Sequence, residues 1–423
     1  MRFPKLNIPT ASDVVVMHFE DLILQGILDP GADIPPERKL SELLGVSRTT
    51  LREALAKLQT KGLLIQAESG IQVHNVFYIM IQKPLDSLYD VNTDDLLEMW
   101  TEMICSASEL AATRLTPQDV ISLKTIYQEI EDAYNEKPST IEISKIKALM
   151  NTIALTSYNF VLLQVIKFLN DLIFSSLDNN HLFKKQKTVI NIIKALITSI
   201  EKRNSHRSFE KTKELCKLIL SSENTNIVSQ LPKAYKVKAK QGQSNKTKLI
   251  KTSYPQDTLI DLINRRPQAL EAIFEFRIIL ERMTSYLAAK RRSQTHIQLM
   301  NEKLNSLEQT DKSKDLDPAI RDIEFHAAIA SASGNEALQA IGHEMIAFFR
   351  RTTHGWLKKH DERLGSLSEI HQQHRKVLKA IKISDPDLAR SAMEEHLDYV
   401  IKMLHTFRIA DQRTKISALR LQS

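Results

Sequence analysis

Residues 34–55 read Ile-Pro-Pro-Glu-Arg-Lys-Leu-Ser-Glu-Leu-Leu-Gly-Val-Ser-Arg-Thr-Thr-Leu-Arg-Glu-Ala-Leu. The pattern predicts two short helices joined by a tight turn. Leu40, Leu43 and Leu44 give the first helix one apolar face, and Gly45 falls where a left-handed cap closes it. The second helix starts either at Ser47, acting as its cap, or one turn later with Thr50 and Glu53 as a capping box. Leu51, Ala54, Leu55 and Leu58 recur at helical spacing and face inward, which leaves Arg48, Thr49 and Arg52 near the exposed N-terminal end. Arginine can grip guanine through two N–H groups, and threonine can bond phosphate or touch a thymine methyl. Arg38, on the preceding helix, is placed to reach a DNA backbone.

Working outward, Ser12 is positioned to cap a first helix whose Val15, Phe19, Leu22 and Ile23 pack inward, and Asp29-Pro30-Gly31 ends it. Downstream, Lys61 and Gly62 stop the second helix of the pair. Leu63–Gln66 and Ile71–His74 then read as two short strands around Ala67-Glu68-Ser69-Gly70. A helical pair followed by a hairpin is a winged helix-turn-helix. The segments Pro-Pro-Glu-Arg-Lys-Leu, Gly-Val-Ser-Arg-Thr-Thr-Leu-Arg-Glu-Ala-Leu and Lys-Gly-Leu-Leu, dense and in order, resemble the N-terminal domain of GntR-family bacterial transcription regulators. The resemblance implies DNA contacts by Arg38, Arg48, Thr49, Thr50 and Arg52, with the wing tip at Gly70 entering the minor groove. One departure shows at that tip, where the family often has two glycines and this chain has Ser69-Gly70.

The 423 residues exceed one winged helix and predict two or three domains. With 42% hydrophobic residues and only 10 Gly and 13 Pro, the remainder reads as helical. Charge does not identify the DNA reader. Residues 1–76 carry eight Lys and Arg against nine Asp and Glu, whereas residues 233–251 hold seven lysines, equal to the formal charge of +7 for the whole chain. That run reads as solvated linker. Two cysteines, Cys105 and Cys216, make no disulfide framework or metal spacing and fit a cytoplasmic protein with both in its core. The most apolar run, Phe160–Ile173, is broken by Gln164, Lys167, Asn170 and Asp171, so no membrane span is expected. The expected organisation is a reader at 1–77, a helical domain at 78–231, a lysine-rich linker at 232–254, a second helical domain at 255–410 and a loose tail at 411–423.

The two helical sets match. Leu97-Glu98-Met99-Trp100 and Glu109–Arg114 lie on Phe274-Glu275-Phe276-Arg277 and Tyr286–Arg291; Ile153-Ala154 with Ser157-Tyr158-Asn159 lies on Ile329-Ala330 with Ser333-Gly334-Asn335. Two anchors at nearly one offset point to a duplicated domain. The second copy carries the chemistry. Asp322 and His326 are four apart and so share a helix face, His374 lies on the stripe of Val377, Leu378 and Ile381, and His396 lies on the stripe of Ala389, Ala392, Met393, Leu397 and Val400. Four inward ionisable groups are costly unless paired, and one divalent cation held by three imidazoles and a carboxylate satisfies them together. His371, one turn before His374, competes for its place, while His343, His354 and His360 lack a matching partner.

Residues 262–405 resemble the all-helical FCD effector domain of the FadR branch of GntR regulators, through Asp322, His326, Ser333-Gly334-Asn335, His374 and His396 in Glu-Glu-His-Leu. The resemblance makes Asp322, His326, His374 and His396 the ligands of one divalent metal per chain, suited to zinc, nickel or manganese. Arg277 and Glu281 match the family's first-helix Arg-x-x-x-Glu, and Arg277 is the candidate partner of a small carboxylate effector. In the first copy these positions fall on Ile146, Met150, near Lys194, near Cys216 and on Trp100, so that copy is expected to keep its packing without the metal. The expected fold is therefore mainly α, a winged helix-turn-helix followed by two FCD-like bundles, the first degenerate. The expected protein is a non-enzymatic regulator that binds a double-stranded DNA operator as a homodimer. A metal-dependent hydrolase with an attached DNA-binding domain is the alternative class, since three histidines and an open position can activate water.

Overall fold

A computed structural model of the chain describes residues 9–25, 27–28, 31–67, 69–74, 88, 91–136, 141–174, 186–220, 267–308, 318–343 and 367–421. The chain divides into two compact units, Met1–Lys83 with Ile250–Asn335 and Ile341–Ser423, and Pro84–Leu249 with Glu336–Ala340. The fold is mainly α with a winged helix-turn-helix at the N-terminus, as the sequence pattern predicts. The boundary near residue 78, the lysine-rich stretch 232–254, Asp29-Pro30, His354 and His360 lie outside the described residues.

The reader consists of α1 (Ala11–Leu24), α2 (Glu37–Leu44), α3 (Arg48–Thr60), β1 (Leu64–Ala67) and β2 (Gly70–Val73). Thr10, not Ser12, caps α1, forming a capping box with Asp13. Ser12 is instead buried and donates to Glu53 Oε1 at 2.9 Å. Lys57 donates to Asp13 at 2.8 Å and Lys61 to the buried Glu20 at 2.6 Å, so α1 is tied to α3 by charge as well as packing. Leu51, Ala54, Leu55 and Leu58 are all buried as expected, each leucine contributing about 1.5 to 3 kcal/mol. Of the three leucines in α2 only Leu40 is buried. Leu43 is 68% exposed, a correction to its expected inward position, because eight residues present a stripe too narrow to hide three leucines. Gly45 closes α2 at φ 64°, the left-handed cap only glycine adopts readily. β1 and β2 pair antiparallel from Leu64 with Val73 to Ala67 with Gly70. A third segment was not anticipated: Gly31, Ala32 and Ile34 exchange backbone hydrogen bonds with Ile71 and Val73 at 2.8 to 3.0 Å, flanking β2.

The first helical bundle contains α4 (Thr93–Arg114), α5 (Pro117–Glu136), α6 (Ile143–Thr156), α7 (Phe160–Phe174), α8 (Gln186–Glu201) and α9 (Ser205–Ile219). Its core is mostly apolar and is crossed by a chain of side-chain hydrogen bonds. Buried Trp100 Nε1 donates to Asn170 Oδ1 at 2.7 Å, and Asn170 Nδ2 donates to Asn151 Oδ1 at 2.7 Å. This arrangement lets a large indole fill the core without stranding its N–H.

The second bundle contains α10 (Pro267–Arg291), α11 (Gln294–Glu308), α12 (Pro318–Ala332), α13 (Leu367–Lys382) and α14 (Pro386–Leu421). Its core joins Phe325, Ile329, Val377, Ile381, Met393 and Leu397. Residues 411–421, expected as loose tail, continue α14; no Gly or Pro interrupts the chain after Pro386.

The bundles repeat one corner in detail. Arg114 donates to Ser157 O at 2.8 Å and Arg291 to Ser333 O at 3.2 Å. Ser157 and Ser333 each donate to a carbonyl three residues back, Ala154 and Ala330, at 2.6 Å. The next residues, Tyr158 and Gly334, are left-handed at φ 53° and 62°. A later corner repeats as well, with Arg203 and Ser384 at φ 56° and 59°.

Candidate DNA-reading surface and metal centre

Ser47 caps α3, its Oγ accepting from Thr50 N at 3.1 Å, which decides between the two possible helix starts. Thr50 shares a 2.8 Å hydroxyl contact with Ser47 and is half-buried, so its side chain belongs partly to the cap. Arg38, Arg48, Thr49 and Arg52 are exposed. Arg52 is already engaged: Nη2 donates to Glu37 Oε2 at 2.8 Å and Nε to Oε1 at 3.3 Å, although its side chain remains 72% exposed. The carboxylate of Glu37, at the start of α2, thus holds the guanidinium of α3 in one orientation. Sequence reading missed Glu37, whose partner is remote in the chain.

At the wing, Gly70 has φ 135°, a conformation costly for any side chain. The preceding Ser69 donates to Asp33 Oδ1 at 2.8 Å, and Gln72 Nε2 donates to the same oxygen at 2.9 Å and to Ser69 Oγ at 3.0 Å. Ser69, which departs from the double glycine of the resembled family, therefore ties the wing to the segment flanking β2. These bonds, that from Gln72 foremost, hold the Asp33 carboxyl below its usual range.

In the second bundle α12 supplies Asp322 and His326, α13 supplies His374, and α14 supplies His396. All three imidazoles are buried, at 2%, 0% and 1% exposure. His374 Nε2 lies 3.3 Å from His326 Nε2 and 3.1 Å from His396 Nε2, and the three donor nitrogens lie within 4.8 Å of one another. Asp322 stands at the edge of the group. Its Oδ1 is 3.4 Å from His374 Nε2 and 3.8 Å from His326 Nε2, and its side chain is 32% exposed. Phe325 packs against both His326 and His374, with centroids 5.9 and 5.0 Å away. His371 is only half-buried and does not join the triad.

The outward nitrogens have different neighbours. Glu281 Oε2 lies against His326 Nδ1, and Gln373 Oε1 is 3.1 Å from His396 Nδ1. His374 Nδ1 is buried with no hydrogen-bond partner among the described residues. Glu281 also takes a 2.5 Å bond from Arg277 Nε, and Arg277 Nη2 lies 3.9 Å from Asp322 Oδ2. Arg277 is buried, so it is no surface ion pair. Burial would raise the Glu281 carboxyl, but Arg277 and then His326 beside it hold it down at about 2. Burial pushes His374 down to about 3 against the pull of Asp322, and burial foremost puts His396 well below the ordinary histidine range. Both rings are therefore neutral, the form that ligates.

This donor set fits a divalent first-row ion. Imidazole nitrogens sharing one such ion at about 2.0 to 2.1 Å stand roughly 3 to 3.4 Å apart, which is the spacing of the paired Nε2 atoms here. Glu281 was legible as the i+4 partner of Arg277, though not as the neighbour of His326. Gln373 precedes His374 on another face of α13, and no sequence signal pointed to it.

The first bundle places apolar side chains at every matching position. Arg277, Glu281, Asp322 and His326 correspond to Trp100, Ile104, Ile146 and Met150, all buried. Counting from the left-handed residues Arg203 and Ser384 sets His374 against Ile193 and His396 against Leu215, both also buried. This corrects the expected Lys194 and Cys216. Lys194 is exposed, its Nζ 6.0 Å from the centroid of the Tyr127 ring. The offset between the copies grows from 176 residues at Asp322 and Ile146 to 181 at Ser384 and Arg203; the expected matches stand one residue off, and one residue turns a helical position by about 100°.

A winged helix-turn-helix joined to a helical bundle with a polar centre defines a DNA-binding regulator class. The family model for "Bacterial regulatory proteins, gntR family" matches residues 11–73, and that for the FCD domain matches residues 272–399. The Glc operon transcriptional activator of Escherichia coli (strain K12) is 32% identical over 171 residues, covering 39% of this chain and 67% of that protein. The putative L-lactate dehydrogenase operon regulatory protein of the same strain is 32% identical over 177 residues, covering 40% and 67%. A solved structure, Streptococcus agalactiae GntR, is 22% identical, covering 49% of this chain and 98% of that one, with a TM-score of 0.30. The chain belongs to the GntR family of bacterial regulatory proteins and carries an FCD domain. It is a DNA-binding transcription regulator and not an enzyme, which removes the hydrolase alternative.

Proposed function

We propose that the chain regulates transcription in the cytoplasm as a homodimer whose operator binding responds to a small carboxylate effector at a metal site. The reading assigns the operator to Arg38, Arg48, Thr49, Thr50 and Arg52 with the wing at Gly70, and the metal to Asp322, His326, His374 and His396. Zinc, nickel and manganese all suit such a nitrogen and oxygen set. One reader per chain requires two chains for a two-fold operator. When bound, the ion supplies a positive charge and an open coordination position for a carboxylate oxygen. The protein's part is to hold three converging imidazoles, to leave the Asp322 side accessible, and to set Arg277 beside it. The observation that carries the reading is the convergence of three buried Nε2 atoms with spacings of 3.1 and 3.3 Å. Effector binding then shifts the balance between arrangements of the paired readers by linkage. The first bundle, with its apolar centre, serves as scaffold.

The test is a panel of small carboxylic acids scored for thermal stabilisation and operator affinity in parent, Arg277→Lys and His396→Ala. An acid that stabilises the metal-loaded parent and shifts its operator affinity, with both responses lost in His396→Ala and weakened in Arg277→Lys, is expected. Lysine keeps the charge of Arg277 and loses its fork. An equal response in all three proteins would remove the effector from this site.

A further inference from the structure

One acid stands among the arginines of the reader's exposed face. Glu37 opens α2, while Arg48 and Arg52, four residues apart, share a face of α3. A guanidinium has five N–H groups, one on Nε and two on each Nη. Glu37 takes the Nε hydrogen at 3.3 Å and one Nη2 hydrogen at 2.8 Å, which fills the side edge of Arg52. The end edge, formed by one outward hydrogen each from Nη1 and Nη2, takes no part in that pairing, and the side chain remains largely exposed. Arg48 feels the same carboxylate without bonding to it. The bond from Arg52 foremost holds the Glu37 carboxyl below its usual range, so an anion stands on the surface that would meet DNA.

We infer that Glu37 is a positioning residue that sets base specificity: it clamps Arg52 by its side edge so that the end edge reads a guanine in the major groove. The inference rests on the DNA-reading surface proposed above. In that groove guanine alone presents two adjacent acceptors, O6 and N7, and two parallel N–H groups match them. A phosphate fits the same edge. Charge decides between the two. The carboxylate offsets much of the positive charge that draws a phosphate, and it would itself be carried toward a second anion. A neutral base edge imposes no such cost. Glu37 therefore weakens ionic attraction and sharpens the choice of partner. It also removes in advance the freedom that a long side chain otherwise surrenders on binding, so Arg52 meets the base already oriented.

An operator selected by the full chain from a pool of random duplexes tests this, with affinities read by fluorescence anisotropy at fixed salt. Each guanine is replaced in turn by 7-deazaguanine, which lacks the N7 acceptor but keeps its base pairing, and each G·C pair by A·T. One guanine per half-site should lose affinity under both replacements, about 5- to 150-fold for the change to A·T. In Arg52→Ala that position should no longer discriminate. In Glu37→Ala and Glu37→Gln its penalty should shrink severalfold, the penalties elsewhere should hold, and binding to duplexes of random sequence should tighten. A role in folding alone would weaken both kinds of binding together. An Arg52-dependent guanine whose penalty is unchanged in both Glu37 variants, or looser binding of random duplexes by them, overturns the inference and leaves the reading surface standing. An even loss of affinity across all positions in Arg52→Ala makes its partner a phosphate and overturns the inference too. Parental affinity of Arg52→Ala for the operator and every replaced duplex removes Arg52 from the reading surface itself.

Discussion

Trp100 occupies in the first bundle the position that Arg277 occupies in the second, each on the opening helix and each set the same distance ahead of an arginine, Arg114 or Arg291, that donates to a corner serine carbonyl. One position thus holds an indole in an apolar core and a guanidinium in an ionisable one. The indole depends on Asn170 for its N–H. Asn170→Ala should destabilise the first bundle by about 1 to 3 kcal/mol, the cost of stranding a buried donor. Denaturant unfolding followed by tryptophan fluorescence measures it, and an unchanged midpoint would show that the bond carries no stability.

The apolar replacement of all six positions in the first bundle predicts one metal per chain. Duplication alone would predict two. Elemental analysis of protein stripped with chelator and reloaded should give one equivalent, lost in the His326→Ala, His396→Ala double variant and retained in Met150→Ala. Two equivalents in the parent would place a second site outside the triad.

Arg48→Ala and Arg52→Ala should each weaken binding to a selected operator by about 1 to 3 kcal/mol if they contact base edges. Lys124→Ala, exposed on α5, is the control and should change nothing. Fluorescence anisotropy at fixed salt decides it, and parental affinity in both arginine variants would reject the reader surface.

The metal-free chain should lose stability in acid. Burial keeps His374 at about 3 and His396 well below its ordinary value in the folded state, whereas unfolded histidine titrates near about 6.5. Folded values below unfolded ones mean that the unfolded chain takes up more protons as pH falls. The stability is therefore full above the unfolded value and declines below it, by on the order of 1.4 kcal/mol per pH unit for each histidine. Denaturant midpoints between pH 7 and 4 should fall more steeply for the chelator-treated parent than for a His374→Gln, His396→Gln variant. Parallel slopes would show that the rings are not buried as neutral groups.

The reader was legible almost residue by residue, because helix caps and inward leucines are local signals. Ser12 and Leu43 were misplaced for local reasons too, since neighbouring caps compete and a two-turn helix hides little. The inward faces of His326, His374 and His396 followed from helical period alone. What escaped was the partnership across elements. Gln373 reaches His396 from another helix, Glu37 meets Arg52 across the turn, and Asp33 gathers the wing, all set by three-dimensional approach rather than spacing. The match of His374 to Ile193 escaped because the offset between the copies shifts within the loops before α8 and α13, where no pattern of apolar residues fixes it.

The wing has a consequence for how operator binding responds to salt. From Gly62 to His74 the sequence contains no lysine or arginine, and its hairpin is tied to the carboxylate of Asp33. Each phosphate neutralised by a protein cation releases condensed counterions and adds about −0.9 to the slope of log affinity against log salt. On the proposed reading, a wing without cations adds reach and shape to the DNA interface but nothing to that slope. On that reading, the ionic part of DNA binding within the reader therefore falls to the arginines and lysines outside the hairpin, Arg38, Arg48 and Arg52 among them. Ser69→Lys would steepen the slope by about one such increment while leaving the recognition helix untouched.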